Sequence, residues 1–337
     1  MEAEGPASGP GAEIAVGVDV GGTKILGLAL GLGVGPTAGD GGAGALGAPV
    51  RVPTPSGVDA VLEAVGAVVE AVRVARGPGC TVGAVGVGLP GLVDRQGVLR
   101  VGPNLANIVD VAFAARLRER LGTPVTADND ATCAMWAEHQ RGSARGARDA
   151  MLVTLGTGIG GGIVAGGALQ RGANGFAAEP GHMVVDPNGP RCPCGGRGCW
   201  ERFASGTGLG RLARDEANAG RAARIVALAG GDAESVRGEH VTAAAAEGDA
   251  EALEVLADFA WWVALGLANL VNLLDPELVV VGGGLADAGD LLLAPVRNAF
   301  GRLVMGGSHR PAVRIVGAEL GEEAGAIGAA LLAADRT

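Results

Sequence analysis

The chain has 337 residues, 48% of them hydrophobic, and a net charge of −10 spread without long runs. That acidic balance excludes the basic face of a nucleic-acid surface, and 3% aromatics with no tyrosine provide no stacking platform for bases. Length and apolar content suffice for two domains or one large two-lobed unit with a substantial core.

The first thirteen residues, MEAEGPASGPGAE, have neither a basic start nor an apolar core, which predicts a flexible tail and no signal peptide. Next, IAVGVDVGGTKILGLAL (Ile14 to Leu30) reads as strand, glycine turn, strand. Such a turn offers the backbone amides of Gly21, Gly22 and Thr23 to a phosphate without side-chain obstruction. Asp19, just ahead of the turn, suits Mg²⁺, which takes one or two carboxylates and keeps most of its waters. Lys24 is the only lysine among 26 basic residues. Its compact charge suits a narrow place beside a phosphate or carboxylate, where the planar arginine fork does not. Gly31 to Pro49, rich in Gly, Pro and Ala, reads as a long mobile hairpin connection.

Further strand signals lie in Thr81 to Asp94 and in PVTADND (Pro124 to Asp130), the latter opening a helical pattern. Between them, Asn104 in GPNLAN suits a turn and also hydrogen bonding to a ligand. Asp128, Asn129 and Asp130 suit a helix N-cap. They equally suit a site where Asn129 hydrogen-bonds a bound hydroxyl and Asp130 takes its proton, since phosphoryl transfer needs little beyond such a base, a Mg²⁺ clamp and donors for the phosphates. AMLVTLGTGIGGGIVAGGAL (Ala150 to Leu169) then repeats the opening pattern: an offset of about 135 residues sets Val18 on Val153 and Gly21 on Gly156. Gly156, Thr157 and Gly158 thus form a second phosphate-type turn, and the chain reads as two related lobes.

From Glu179 to Glu201, EPGHMVVDPNGPRCPCGGRGCWE sets His182, Cys192, Cys194 and Cys199 at the spacing of a closed, structural Cys₃His zinc site. Glu179 and Glu201, flanking this knuckle, suit vicinal sugar hydroxyls, and the second ring nitrogen of His182 suits another. Downstream, helices span about Thr242 to Leu274, with Trp261 and Trp262 expected in the core. The apolar run Phe259 to Leu274 is too short to cross a bilayer, which predicts a soluble, cytoplasmic protein. A buried strand, ELVVVGGGLA, then places Gly283 and Gly284 where a nucleotide meets backbone. Strands alternating with helices give an α/β class. Cys80 and Cys133 read as core thiols, and no disulfide is expected.

DVGGTK, GLPGLVD, the DND strand end, LGTGIGGG, EPGH and CPCGGRGCWE, in this order from about Ile14 to Ala334, closely resemble the ROK family of bacterial sugar kinases, in particular its glucokinases. The resemblance implies an actin-like, duplicated ribonuclease-H-type fold of two lobes with a cleft between them. The implied division is a smaller lobe at 14–128, completed by a C-terminal helix at 322–335, and a larger lobe at 129–321 carrying the knuckle at 182–199. The implied activity is ATP-dependent phosphorylation of the 6-hydroxyl of a hexose, with Mg²⁺ and structural zinc, in a homodimer or homotetramer. By resemblance Asp130 is the catalytic base, and Asn104, Asn129, Glu179, His182 and Glu201 bind the sugar. Asp19 to Lys24, the LGTG turn and the GGG run face ATP. N-acetylglucosamine, N-acetylmannosamine or fructose are alternative substrates, and a catalytically silent sugar sensor is an alternative from another class. The family's repressors carry a DNA-binding helix-turn-helix before the first strand, which thirteen residues cannot hold. PNLAN, where glucokinases more often have PNLPW, and the Gly31–Pro49 insertion depart from the pattern.

Overall fold

The structure, a computed structural model, describes residues 13–32, 46–102, 105 and 108–335. Asn104, most of the expected tail and most of the Gly31–Pro49 connection lie outside them. The contacts divide the chain into two compact units, one comprising the residues up to Arg141, Leu169–Ala177 and those from Glu322, the other Gly142–Ala168 and Ala178–Gly321. The helix after Asp130 therefore belongs with the first unit, past the division at 128 expected from the sequence.

The first unit runs β1 (Glu13–Val20), β2 (Lys24–Gly31), β3 (Leu46–Pro53), α1 (Val58–Ala75), β4 (Thr81–Leu89), β5 (Leu92–Val93), β6 (Leu99–Gly102), β7 (Ile108–Val111), α2 (Phe113–Leu121), β8 (Val125–Asn129) and α3 (Asp130–Arg141). β3 begins at Leu46, so the connection from β2 ends earlier than the composition of Gly31–Pro49 suggests. The main sheet has the order β3-β2-β1-β4-β8, and β5, β6 and β7 form a small separate sheet.

Period-two alternation explains why β1 is central. Ile14, Val16, Val18 and Val20 enter one core cluster with Val61, Leu62, Val65, Val68, Val69 and Val72 of α1. Gly17 and Asp19 point to the other face, which the C-terminal helix covers. A Cβ at Gly17 would come within 1.8 Å of the Ala326 carbonyl oxygen, and one at Gly86 on β4 within 1.8 Å of that of Ala329.

The second unit continues with β9 (Ala150–Leu155), β10 (Ile159–Ala165), β11 (Ala168–Leu169), α4 (Glu201–Ala204), α5 (Gly206–Asn218), α6 (Ala223–Leu228), α7 (Gly238–Ala246), α8 (Ala250–Leu274), β12 (Leu278–Gly282), α9 (Asp290–Leu303) and β13 (Arg314–Gly317); α10 (Ala324–Ala334) returns to the first unit. Its sheet order, β11-β10-β9-β12-β13, matches that of the first sheet strand for strand. β1 pairs antiparallel with β2 and parallel with β4; β9 likewise pairs antiparallel with β10 and parallel with β12. The internal repeat is thus a duplicated mixed sheet, as the actin-like fold requires.

Two expectations for α8 need correction. With 25 residues, most of them apolar, it is long and apolar enough to cross a membrane. It is nonetheless a core helix: Val255, Leu256, Phe259, Val263, Leu267 and Val271 are buried. Trp262 packs against the core as expected, but Trp261 is 41% exposed, because neighbouring helical residues differ by about 100° in direction. The buried tryptophan is Trp200, with no exposed surface.

Candidate active site

In the first unit, the candidate groups gather at the carboxyl ends of β1, β4 and β8. Asp19 on β1 and Asp128 on β8 are both register partners of Gly88 on β4. A Cβ at Gly88 would come to 3.3 Å from Asp19 Oδ1 and 3.4 Å from Asp130 Cα, so the three residues lie close together. Asp19 Oδ1 is buried with no hydrogen-bond partner among the described residues. Burial above all, then the negative charge of Asp130, pushes Asp19 up to about 7, with Lys24 opposing. A buried carboxylate oxygen with no partner among the described residues fits a cation.

Asp130 starts α3, and its Oδ1 accepts from the Ala131 amide at 2.8 Å. Burial pushes its carboxyl up to about 6, against the backbone amide bonds that favour the ionised form. Asn129 caps the same helix, its Oδ1 accepting from Thr132 N at 2.9 Å and its Nδ2 donating to the Gly91 carbonyl at 3.1 Å. One amide hydrogen and one lone pair of Asn129 remain for a ligand. Asp128 accepts from Asn129 N at 2.9 Å through Oδ1 and from Arg171 Nε at 2.5 Å through Oδ2.

The turn after β1 is closed by Gly21 N donating to the Lys24 carbonyl at 2.9 Å and braced by the Thr54 hydroxyl on the Gly21 carbonyl at 2.7 Å. Gly22 and Thr23 are exposed at its tip. Lys24 forms an ion pair with Glu322, which also accepts from Arg51 Nη2 at 2.5 Å. Lys24 first, then Arg51, holds the Glu322 carboxyl below its ordinary range.

In the second unit, the ligating atoms of His182, Cys192, Cys194 and Cys199 lie within 4.8 Å of one another. Cys194 Sγ is 3.6 Å from Cys199 Sγ, and Cys192 Sγ is 3.9 Å from His182 Nδ1. A tetrahedral zinc with bonds of about 2.0–2.3 Å needs edges of roughly 3.5–3.8 Å, so the donor set fits. Gly198 makes the fold of the knuckle possible: it has φ +70°, and a Cβ there would strike the Asp186 carbonyl oxygen at 1.6 Å. The next aromatic residue, Trp200, anchors the loop, its Nε1 donating to the Trp262 carbonyl at 2.7 Å.

Glu201 joins this knuckle to the LGTG turn. Its Oε1 accepts from Cys192 Sγ at 3.0 Å and lies 3.8 Å from His182 Nδ1, while a Cβ at Gly158 would meet its Oε2 at 2.8 Å. With His182 Nδ1 turned to the cluster, Nε2 is the nitrogen left for a ligand. Glu179, half-buried, precedes the short Pro180–His182 turn, and Ala178 before it holds the left-handed φ of +68° that non-glycine residues seldom adopt.

The LGTG turn is closed by Gly156 N on the Gly158 carbonyl at 3.0 Å. Gly206 N donates to the Gly156 carbonyl at 2.8 Å, and the Thr207 hydroxyl to the Thr157 carbonyl at 2.9 Å. Ser205 caps α5 at that place, its Oγ accepting from Gly208 N. Gly282 pairs with Thr154 across β12 and β9, which brings Gly283 and Gly284 beside the same turn.

The ROK family model matches residues 15–336. A glucokinase of Streptomyces coelicolor is 40% identical over 323 residues, 95% of this chain and 97% of that protein. The chain belongs to the ROK family. Among solved ROK structures, the glucokinase of Streptomyces griseus in complex with glucose and AMPPNP is similar at 38% identity and TM-score 0.83, covering 96% of this chain and 99% of that one. The ROK hexokinase of Thermus thermophilus is similar at 35% identity and TM-score 0.77, covering 96% and 98%.

Within this ROK chain, the described site residues expected from sequence fall into two groups. Asp19, Gly21 to Lys24, Asn129 and Asp130 belong to the first unit, and Gly156 to Gly158, the knuckle, its two glutamates, Gly283 and Gly284 to the second. Sequence reasoning missed Gly88, the Asp128–Arg171 pair and the Ser205–Thr207 brace. Of these, only SGTG, a serine cap before glycines, carried a local signal.

Proposed function

We propose that the chain is an ATP-dependent hexose kinase of the ROK family that phosphorylates the 6-hydroxyl of glucose. The observation that carries the reading is the place of Asp130 at the start of α3, directly after Asn129 and within reach of the unpartnered Asp19 carboxylate, with burial pushing its carboxyl up to about 6, toward the range of a general base. The similarity to the Streptomyces glucokinases over nearly the full chain supports glucose as the substrate.

In this reading, Asn104, Asn129, Glu179, His182 Nε2 and Glu201 orient the sugar. Its 6-oxygen attacks the γ-phosphorus in line as Asp130 takes the proton, and the bond to the bridging oxygen of ADP breaks. Backbone amides of Gly21, Gly22, Thr23, Gly156, Thr157, Gly158, Gly283 and Gly284, with Lys24, hold the phosphates. Mg²⁺, for which Asp19 is the protein ligand, supplies charge neutralisation on those phosphates when bound. Zinc on His182, Cys192, Cys194 and Cys199 keeps the glycine-rich knuckle in shape. The protein works in the cytoplasm as a homodimer or homotetramer.

The test is a coupled ADP-release assay across glucose, mannose, fructose and the N-acetylated hexosamines, with parent and Asp130→Asn. Glucose is expected to give the highest kcat/KM, and the variant to bind glucose while losing about 10²–10⁴-fold in kcat. Sugar-independent ATP consumption, or turnover by the variant near the parent rate, overturns the assignment.

A further inference from the structure

We infer that Arg171 is a positioning residue for sugar binding, acting through its ion pair with Asp128; this deepens the kinase reading above and rests on it. The pair joins two segments that the reaction needs to be still. One carboxylate of Asp128 fixes the Asn129 amide through Oδ1 and Arg171 through Oδ2, and Asn129 directly precedes the base Asp130. Arg171 lies in the segment Leu169–Ala177, which runs straight into Ala178 and the sugar ligand Glu179.

From Gln170 to Ala177 that segment has no helix or strand to hold it. Contacts within the first unit hold it instead, among them those of Arg171, Gly172 and Gly175. The first is the Arg171–Asp128 pair, whose side chains are only 18% and 13% exposed. In the second, Arg95 Nε donates to the Gly172 carbonyl at 3.0 Å. The third is the close approach of Gly175, at φ +100°, to the β5 edge, where a Cβ would lie 2.7 Å from the Val93 carbonyl oxygen. Two half-buried charges in direct contact are a specific latch, because removing one leaves the other desolvated and unpaired. An irregular segment fixed at these points delivers the residue that follows it with little freedom, and such restraint lowers the entropy lost when a sugar is bound.

The test uses the full chain and two readouts: the glucose Kd by calorimetry without nucleotide, and KM for glucose and ATP separately. Arg171→Gln is expected to raise glucose Kd and KM at least tenfold and leave ATP KM within twofold, with Arg171→Lys recovering most of the loss. A purely structural role would instead lower the active fraction and leave both KM values alone. Glucose Kd and KM within twofold of the parent, or glucose and ATP KM rising together, overturns the inference. If Arg171→Gln does not fold, the exposed Arg95→Gln loosens the same segment, and a threefold or larger rise in glucose KM alone is the supporting result, an unchanged one the contrary. A parent without glucose-dependent ADP release sinks the kinase reading itself, whereas an active parent with an indifferent Arg171→Gln sinks only the role of Arg171.

Discussion

Trp200 occupies the space in which a side chain at position 266 would stand: a Cβ added to Gly266 would come within 1.9 Å of indole Cε2. The indole that follows Cys199, the last cysteine of the His182–Cys199 cluster, is thereby seated on α8, the central helix of the second unit's core.

Gly266→Val should therefore drive Trp200 out of its seat and destabilise the protein by about 3 kcal/mol, the upper part of the usual range for overpacking a core. Urea denaturation followed by tryptophan fluorescence measures it. A change under about 0.5 kcal/mol, the scale of ordinary surface substitutions, would mean that the knuckle is not anchored there.

Removal of the knuckle metal should abolish glucose binding through loss of shape while the core stays folded. Glu201 and His182 lie in or against the ligand cluster, so a collapsed loop carries proposed sugar contacts with it. Calorimetric titration of glucose into protein verified as zinc-free by elemental analysis is the measurement. Unaltered glucose affinity is the contrary result.

Turnover should rise with pH through about 6 and then level. Asp130 must be ionised to accept a proton, and burial has pushed its carboxyl up to that value. Below it, kcat/KM for glucose is expected to fall about tenfold per pH unit. A profile flat from pH 5 to 8 would assign the proton to another group.

Asp19→Asn should stabilise the ligand-free protein at pH 8 and much less at pH 5. The Asp19 carboxyl is raised in the fold from 3.8 to about 7, so folding favours its protonated form. That contribution is fully present below the ordinary value and is lost as pH rises through the folded one. The amide avoids this loss. Its advantage should grow across pH 4 to 7 to the order of 1–3 kcal/mol, below the ceiling set by about 1.4 kcal/mol per pH unit because the carboxylate is partly solvated. Thermal midpoints of parent and variant across that range test the sign.

Much of this arrangement was legible in the chain because its signals are local. Two strand–glycine turn–strand segments with similar flanks disclosed two related lobes, and the knuckle ligands lie within eighteen residues of one another. What escaped depends on long separations. Arg171 meets Asp128 from 43 residues away, and the partner of Lys24 lies 298 residues downstream. The exposure of Trp261 was missed for another reason: in a helix as apolar as α8, composition does not say which side faces the core.

The close approach of α10 to β1 and β4 bears on the order in which the protein is made. β1 leaves the ribosome roughly 300 residues before α10, an interval of about 15–60 s at ordinary elongation rates of 5–20 residues per second. Throughout that time the face of the first sheet around Gly17 and Gly86 lacks the cover of α10. The first unit is thus obliged to mature after the second unit has been synthesised, and a nascent chain stalled short of residue 324 would display that glycine-lined face to chaperones and proteases.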